Sequence, residues 1–92
     1  MRKNIFVLFY CDKWKSTSSM ALCTATTSEK RVIAAIRKGI QSGDFVVESE
    51  ELSKNAQLKL FKEIAQAPDP IRDINVRVVY AHIECVSDGE MQ

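Results

Sequence analysis

IFVLFYC, at residues 5–11, is an uninterrupted run of apolar side chains, most of them aromatic or β-branched. Such a run predicts a β-strand, which we place at residues 4–11, and its apolar side chains on both faces indicate a central position in a sheet. Residues 20–26 predict a second strand. The connection between the two, residues 12–19, is too long for a tight hairpin turn and is typical of a loop with its own function.

The next segment has the pattern of an amphipathic helix from about Ser28 to Ser42. Thr27 or Ser28 can cap its first amides, and Gly43 can end it in the left-handed conformation. The apolar stripe expected to face the sheet consists of Val32, Ile33, Ile36 and Ile40. The exposed side is expected to carry Lys30, Arg37, Lys38 and Gln41.

The second half of the chain predicts a short strand, two helices and a closing strand. The short strand lies within residues 44–48, and the next helix begins near Ser53 and ends before Pro68. Asp69-Pro70 has the form of another helix start. Residues 70–79 fit a helix through Ile71, Ile74 and Val78, or a strand through Ile74, Val76 and Val78. Residues 80–87 form the last strand, and Asp88-Gly89 the final turn.

This order, β-β-α-β-α-α-β, predicts an α+β fold. The economical arrangement is a small, mainly antiparallel sheet with helices packed on one face, in two layers. At 92 residues the chain has room for one hydrophobic core, so we expect residues 1–92 to form a single domain. No segment approaches the length of a transmembrane helix, and no membrane partner is expected.

The charge of the chain is divided between its two halves. Residues 1–43 carry eight basic and two acidic side chains, a net charge of +6, whereas residues 44–92 carry a net charge of −5. This asymmetry either cancels in the fold or creates a surface for an anionic partner or a second copy. The cysteines, Cys11, Cys23 and Cys85, are odd in number and lie in apolar segments, which indicates free thiols and a cytoplasmic protein.

The only tryptophan lies in the loop after the first strand, between two lysines. One reading is a recognition site in which Trp14 anchors a partner and the neighbouring cations attract an anion. The other reading is that the indole folds over the end of the core. One aromatic ring and a modest charge are a thin basis for nucleic-acid binding. The residues predicted to bind are Asp12, Lys13, Trp14, Lys15 and Ser16, with Lys30, Arg37 and Lys38 of the first helix.

The residue types allow two kinds of chemical site, a metal site and a catalytic or nucleotide-binding site. Cys11, Cys23, His82 and Cys85 have the composition of a zinc site but lack its paired spacing, so we expect buried free thiols, no metal and no cofactor. A small enzyme or nucleotide-binding factor using Cys11, Asp12 and His82 would need the thiol within hydrogen-bond reach of the imidazole. Nothing in the sequence sets the strand register that this requires.

The opening of the chain resembles that of short uncharacterised proteins of gut anaerobic bacteria and their phages and mobile elements. The shared features are the strand at residues 6–9, the Cys-Asp-x-Trp-Lys-Ser segment at residues 11–16, and Ser18-Ser19-Met20. The end, Tyr80-Ala81-His82-Ile83 followed by Asp88-Gly89-Glu90, is also similar. The resemblance implies a bacterial or phage accessory protein and assigns no functional residue.

Together these patterns predict a non-enzymatic binding module that acts through the Trp14 loop and the basic side of the first helix. The expected partner is a protein or an anionic small ligand. An exposed sheet edge on so small a domain also makes a homodimer an expected form.

Overall fold

The computed structural model describes residues 4–87 and has the predicted α+β architecture. Its strands are β1 (Asn4–Tyr10), β2 (Ala21–Thr26), β3 (Val46–Val47), β4 (Val78–Val79) and β5 (Ala81–Ser87). Its helices are α1 (Glu29–Ser42), α2 (Lys54–Ala65) and α3 (Pro70–Arg77), with a short 3-10 helix at Thr17–Ser19. The turn predicted at Asp88-Gly89 lies outside the described residues.

The main sheet is antiparallel, with the strand order β2-β1-β5. The central position predicted for the first strand is therefore confirmed. Phe6 and Leu8 of β1 and Ala81 and Ile83 of β5 turn their side chains into the core beneath the helices. Phe9 and His82, opposite each other in the register, lie on the other face, with ring centroids 6.5 Å apart. The sheet forms one layer of the fold, and the helices packed on one of its faces form the other. The second face of the sheet is more open.

The helix ends follow their capping residues. The Ser28 hydroxyl accepts a hydrogen bond from the Arg31 amide at 3.3 Å, and Gly43 ends α1 with φ at +92°. Ser53 and Asp69 cap α2 and α3 in the same way. The stripe predicted on α1 faces the core: Val32, Ile36 and Ile40 are buried, and Ile33 packs at its margin.

Residues 70–79 combine the two structures predicted for them. They form a helix to Arg77, and Val78–Val79 then pair as β4 with β3 in a separate two-stranded sheet. Val78 is buried at 1% exposure, whereas Val76 is 76% exposed, so the apolar pattern there is only partly a core pattern. The β3–β4 pair brings residues 46–50 beside residues 77–80, and this placement forms one wall of a groove next to Trp14.

The sequence did not indicate that Gln57 would be buried. Its side-chain oxygen accepts a hydrogen bond from the Val47 amide at 3.1 Å, and its side-chain nitrogen donates to the Leu52 carbonyl at 2.9 Å. A buried amide that satisfies both its donor and its acceptor is stable, because no polar group loses its partner on leaving water. Gln57 thereby fixes β3 against α2.

Candidate functional site: an aromatic and acidic groove at the Trp14 loop

The Trp14 loop is held by a compact set of hydrogen bonds. The Asp12 carboxylate accepts from the Ser16 amide at 3.0 Å and from the Ser16 hydroxyl at 2.7 Å. The Ser19 hydroxyl accepts from the Asp12 amide at 3.0 Å and donates to the Ser16 carbonyl at 2.7 Å. The hydrogen bonds that the Asp12 carboxylate accepts lower its pKa, and the bond from the Ser16 hydroxyl contributes most. Asp12 and Ser16, both predicted to bind a partner, are thus engaged in shaping the loop.

Lys15 connects this loop to α3. Its ammonium group donates a hydrogen bond to the main-chain carbonyl of Asn75. The side chain is half-buried, and burial lowers the pKa of its amine. Lys15 therefore fixes the loop to the body of the domain, and its charge is turned away from any ligand at the loop tip.

The hydrogen bonds of the loop leave the Trp14 side chain exposed to water. Its side chain is 76% exposed, so it does not pack over the end of the sheet. The ammonium group of Lys13 lies 4.8 Å from the centroid of the indole ring, within the range of a cation–π contact. The structure therefore presents a large aromatic ring, already in contact with one cation, on a loop whose backbone is held at both ends.

A groove of about 560 Å³ lies beside the indole. Its lining residues are Lys13, Trp14, Glu48, Ser49, Glu50, Glu51, Val79 and Tyr80. Two aromatic rings and three carboxylates thus face one open space. Lys13 is the only cation among the described residues that line it.

The three carboxylates differ in how far they are already paired. The Glu48 carboxylate accepts from Arg77 Nε at 2.7 Å and forms an ion pair with that guanidinium group. The Glu50 carboxylate accepts from the Tyr80 hydroxyl, and this bond raises the pKa of the tyrosine. Glu51 is exposed and makes no ion pair with the described residues. At neutral pH the groove therefore carries a net negative charge.

The backbone is unusual around this groove. Lys15, Glu48 and Tyr80 have φ values of 55°, 62° and 72°, and they are all the non-glycine residues of the described chain with positive φ. A non-glycine residue in this region costs about 1–2 kcal/mol, and such residues cluster at functional sites. Two of the three line the groove, and the third follows Trp14. Local strain is thus concentrated where the exposed indole lies.

The predicted binding residues of α1 lie elsewhere. Arg37 and Lys38 line a second groove of about 420 Å³ along the exposed side of the helix, together with Arg31, Ala34, Ala35 and Gln41. Lys30 is exposed in the first turn and lines neither groove. The sequence analysis predicted that both the Trp14 loop and the basic side of α1 bind a partner. The structure places them at two separate grooves, neither of which contains residues from both.

The residues of the alternative hypothesis, a small enzyme or nucleotide-binding factor, also have separate environments in the structure. Cys11 is buried, and burial raises the pKa of its thiol, which disfavours the nucleophilic thiolate. His82 Nε2 lies 2.7 Å from a carboxylate oxygen of Glu84, and its ring stacks on Phe9. Within residues 4–87 no hydrogen bond connects Cys11 with His82. The same residues contain no group of three or more histidine, cysteine or acidic side chains placed to hold a metal ion.

Comparisons with family models, curated proteins and solved structures gave no significant match to this chain. None of the helices in the described part of the chain combines the length and the apolar character needed to cross a membrane.

Sequence reasoning identified Trp14 and Lys13 but missed the opposite wall of the groove. Glu48, Glu50, Glu51 and Tyr80 were not predicted as site residues. The acidic run at residues 48–51 is visible in the sequence. Its position next to Trp14 depends on the pairing of β3 with β4, and the sequence pattern, which predicted a short strand within residues 44–48, does not show which strand pairs with it.

Proposed function

We propose that this protein is a non-enzymatic binding module that docks a basic segment of a partner protein in the Trp14 groove. The observation that carries the proposal is that the Trp14 indole is 76% exposed, on a loop held by hydrogen bonds, beside a groove lined by three glutamates. Interface hot spots are enriched in tryptophan because one large ring contributes much contact area at little entropic cost.

The charge of the groove favours a cationic ligand at this loop over an anionic one. Glu48 is paired with Arg77, whereas Glu50 and Glu51 face the groove without a cationic partner among the described residues. The faces of Trp14 and Tyr80 add a negative quadrupole, to which guanidinium and ammonium groups bind. The Lys13 ammonium over the indole is an internal example of this contact, and a partner's arginine could take its place.

The openness of the site favours a protein partner over a small molecule. Small-molecule sites typically bury about 70–90% of the ligand's surface. Here the principal aromatic residue remains mostly in solvent, on one side of a groove, which suits a peptide segment that covers the ring from outside.

The cytoplasm remains our proposed location, because Cys11, Cys23 and Cys85 are all free thiols. The bacterial or phage origin implied by the resemblance stays a prediction.

The proposal is tested by selecting peptides from a random display library on the wild-type protein, with counter-selection on Trp14→Ala. We expect the selected peptides to be rich in arginine and lysine. Isothermal titration with one such peptide should show a loss of about tenfold or more in affinity for Trp14→Ala, the effect of losing a hot-spot residue. Val76→Ala is the matched control, because Val76 is also an apolar residue with 76% exposure but lies outside the groove.

The acidic wall is tested separately with Glu50→Gln/Glu51→Gln. We expect this variant to bind the basic peptide more weakly and with a smaller dependence on salt, because two carboxylates that attract the ligand have been neutralised. Selection of peptides with no basic residues, or equal binding by wild type and Trp14→Ala, would contradict the proposal.

A further inference from the structure

The two outer edges of the main sheet differ in whether they can accept another strand. At the β5 edge, the Asn75 side chain imitates a paired strand: its nitrogen donates to the Ile83 carbonyl at 2.9 Å, and its oxygen accepts from the Ile83 amide at 2.8 Å. Both main-chain groups of Ile83 are thereby satisfied. An extended chain could pair there only by displacing Asn75.

The β2 edge has no such cover within residues 4–87. β2 pairs only with β1 among the described strands, and its sequence, ALCTAT, contains no charged residue and no proline. Exposed edges are normally protected by charges, proline, bulges or a covering element. The register shift between Leu8 and Phe9 is the one such device in this pair, and it leaves Thr24–Thr26 regularly paired.

The register identifies which groups of β2 point outward. Because the main-chain groups of Ile83 face Asn75, those of its β1 partner Leu8 face β2, and those of Val7 face β5. Ala25, the partner of Val7 on β2, therefore directs its amide and carbonyl groups away from the sheet. Its side chain is exposed as well.

The surface beside this edge is basic. α1 packs against β2, and a groove of about 410 Å³ contains Cys23 together with Ala35 and Lys38 of the helix. Ala35 and Lys38 also line the helix groove, which includes Arg31 and Arg37. These three cations form no ion pair with the described residues, and Asp44 is the only acidic residue lining the two grooves.

We propose that the β2 edge binds an extended, acidic segment of a partner protein as a fourth strand. Main-chain hydrogen bonds to outward groups such as those of Ala25 would supply the pairing. Alternate side chains of the added strand would lie over Ala34 and Ala35, with carboxylates beside Arg31 and Lys38. A second copy of this chain fits less well, because antiparallel pairing of two β2 strands would bring the Arg31 and Lys38 groups of both copies together.

This site is separate from the Trp14 groove and does not depend on the function proposed for it. The two sites also prefer opposite charges: the groove lined by Glu50 and Glu51 favours a basic segment, and the β2 edge an acidic one. A variant at one site should therefore leave binding at the other unchanged.

The test uses two short soluble peptides that alternate valine with glutamate or valine with lysine, titrated into the isotopically labelled full chain and followed by NMR. We expect the glutamate peptide to shift the amide signals of β2 and to slow hydrogen exchange at Ala25. Arg31→Glu/Lys38→Glu should weaken its binding at least about tenfold, because like charges then face each other. Lys59→Glu/Lys62→Glu, which reverses two exposed lysines on α2, is the matched control and should change binding little.

Ala25→Pro provides an independent test, because it removes an outward amide without removing a hydrogen bond to β1. It should abolish peptide binding and keep the cooperative unfolding transition. Should this variant fail to fold, the α1 charge reversal and the hydrogen exchange of Ala25 decide the question. Equal binding of both peptides, or no shift in β2, overturns the proposal. A concentration-dependent dimer in the free protein that exchanges through β2 would also overturn it, by identifying a second copy as the occupant.

Discussion

The hydrophobic core and the Trp14 loop position their aromatic rings by opposite means. Phe61 lies in the core with 0% exposure, held by the volume of its neighbours, whereas Trp14 is 76% exposed, on a backbone held by hydrogen bonds. In the core, removal of a ring leaves a cavity. In the loop, removal of the ring leaves the hydrogen bonds that hold the backbone unchanged, because none of them involves the indole. Hydrogen bonds thus hold the backbone that carries Trp14 while its ring stays exposed, an arrangement that leaves the ring accessible to a partner.

The largest effect is expected where a ring fills the core. Phe61→Ala removes a fully buried side chain, and the lost burial and the cavity together should cost about 3–5 kcal/mol of unfolding free energy. Urea denaturation followed by circular dichroism measures this cost. On the same scale Trp14→Ala should change stability by no more than about 0.5 kcal/mol. A comparable loss in both variants would break the distinction between core and loop.

The second prediction tests how tightly the core is filled at Gly39. A Cβ atom placed on Gly39 would lie 2.2 Å from Cδ2 of Phe45, well inside van der Waals contact. Gly39→Ala should therefore destabilise the protein by about 1–3 kcal/mol, although alanine normally favours a helix over glycine. Thermal unfolding measures the loss. Adding Phe45→Leu should recover part of it, and an additive double variant would show that the two residues do not compete for space.

A third prediction concerns the strained backbone that borders the groove. Glu48 has a φ of 62°, and both Glu48→Gly and Glu48→Ala remove its ion pair with Arg77. Since only glycine tolerates this conformation freely, the glycine variant should be more stable than the alanine variant by about 1 kcal/mol. Chemical denaturation of the matched pair isolates the backbone contribution. Greater stability of the alanine variant would mean that the turn carries no strain.

The smallest effect is local and depends on pH. Hydrogen bonds lower the pKa of Asp12 in the folded protein. Their stabilisation of the loop is therefore fully present above the ordinary pKa of 3.8, and it is lost as the pH falls through the lowered pKa of the folded state. Acidification should therefore loosen the Trp14 loop before the core unfolds, seen as a fall in tryptophan anisotropy with unchanged circular dichroism. Asp12→Asn should have a looser loop already at neutral pH and lack this acid transition. An identical acid response in wild type and Asp12→Asn would show that another group controls the loop.

The parts of the fold that rest on repeated local patterns were predictable from the sequence. The apolar run at residues 5–11 indicated a central strand, and the spacing of Val32, Ile36 and Ile40 indicated the buried side of α1. Gln57 was not predictable, because a polar residue is buried only if tertiary partners satisfy it, and those partners come from residues 47 and 52. The ambiguity at residues 70–79 arose because the segment contains both a helix and a strand.

The candidate site was half predictable for a similar reason. An isolated tryptophan between two lysines drew attention to the loop and suggested an anionic ligand. In the folded chain Lys15 contacts Asn75, Lys13 lies over the indole, and the glutamates of residues 48–51 form the facing wall. The sequence contained each of these residues, but the charge of the site depends on which of them meet in space.

The proposed docking site requires that the Trp14 indole stay in water in the free protein, and the chain contains no other tryptophan to obscure its signal. The fluorescence emission of the free protein, measured with acrylamide quenching, therefore reports on the exposure of this ring alone. We predict a red-shifted maximum and quenching nearly as efficient as for free tryptophan. A blue-shifted maximum with strong protection from acrylamide would place the ring against its own chain and contradict the proposed docking site.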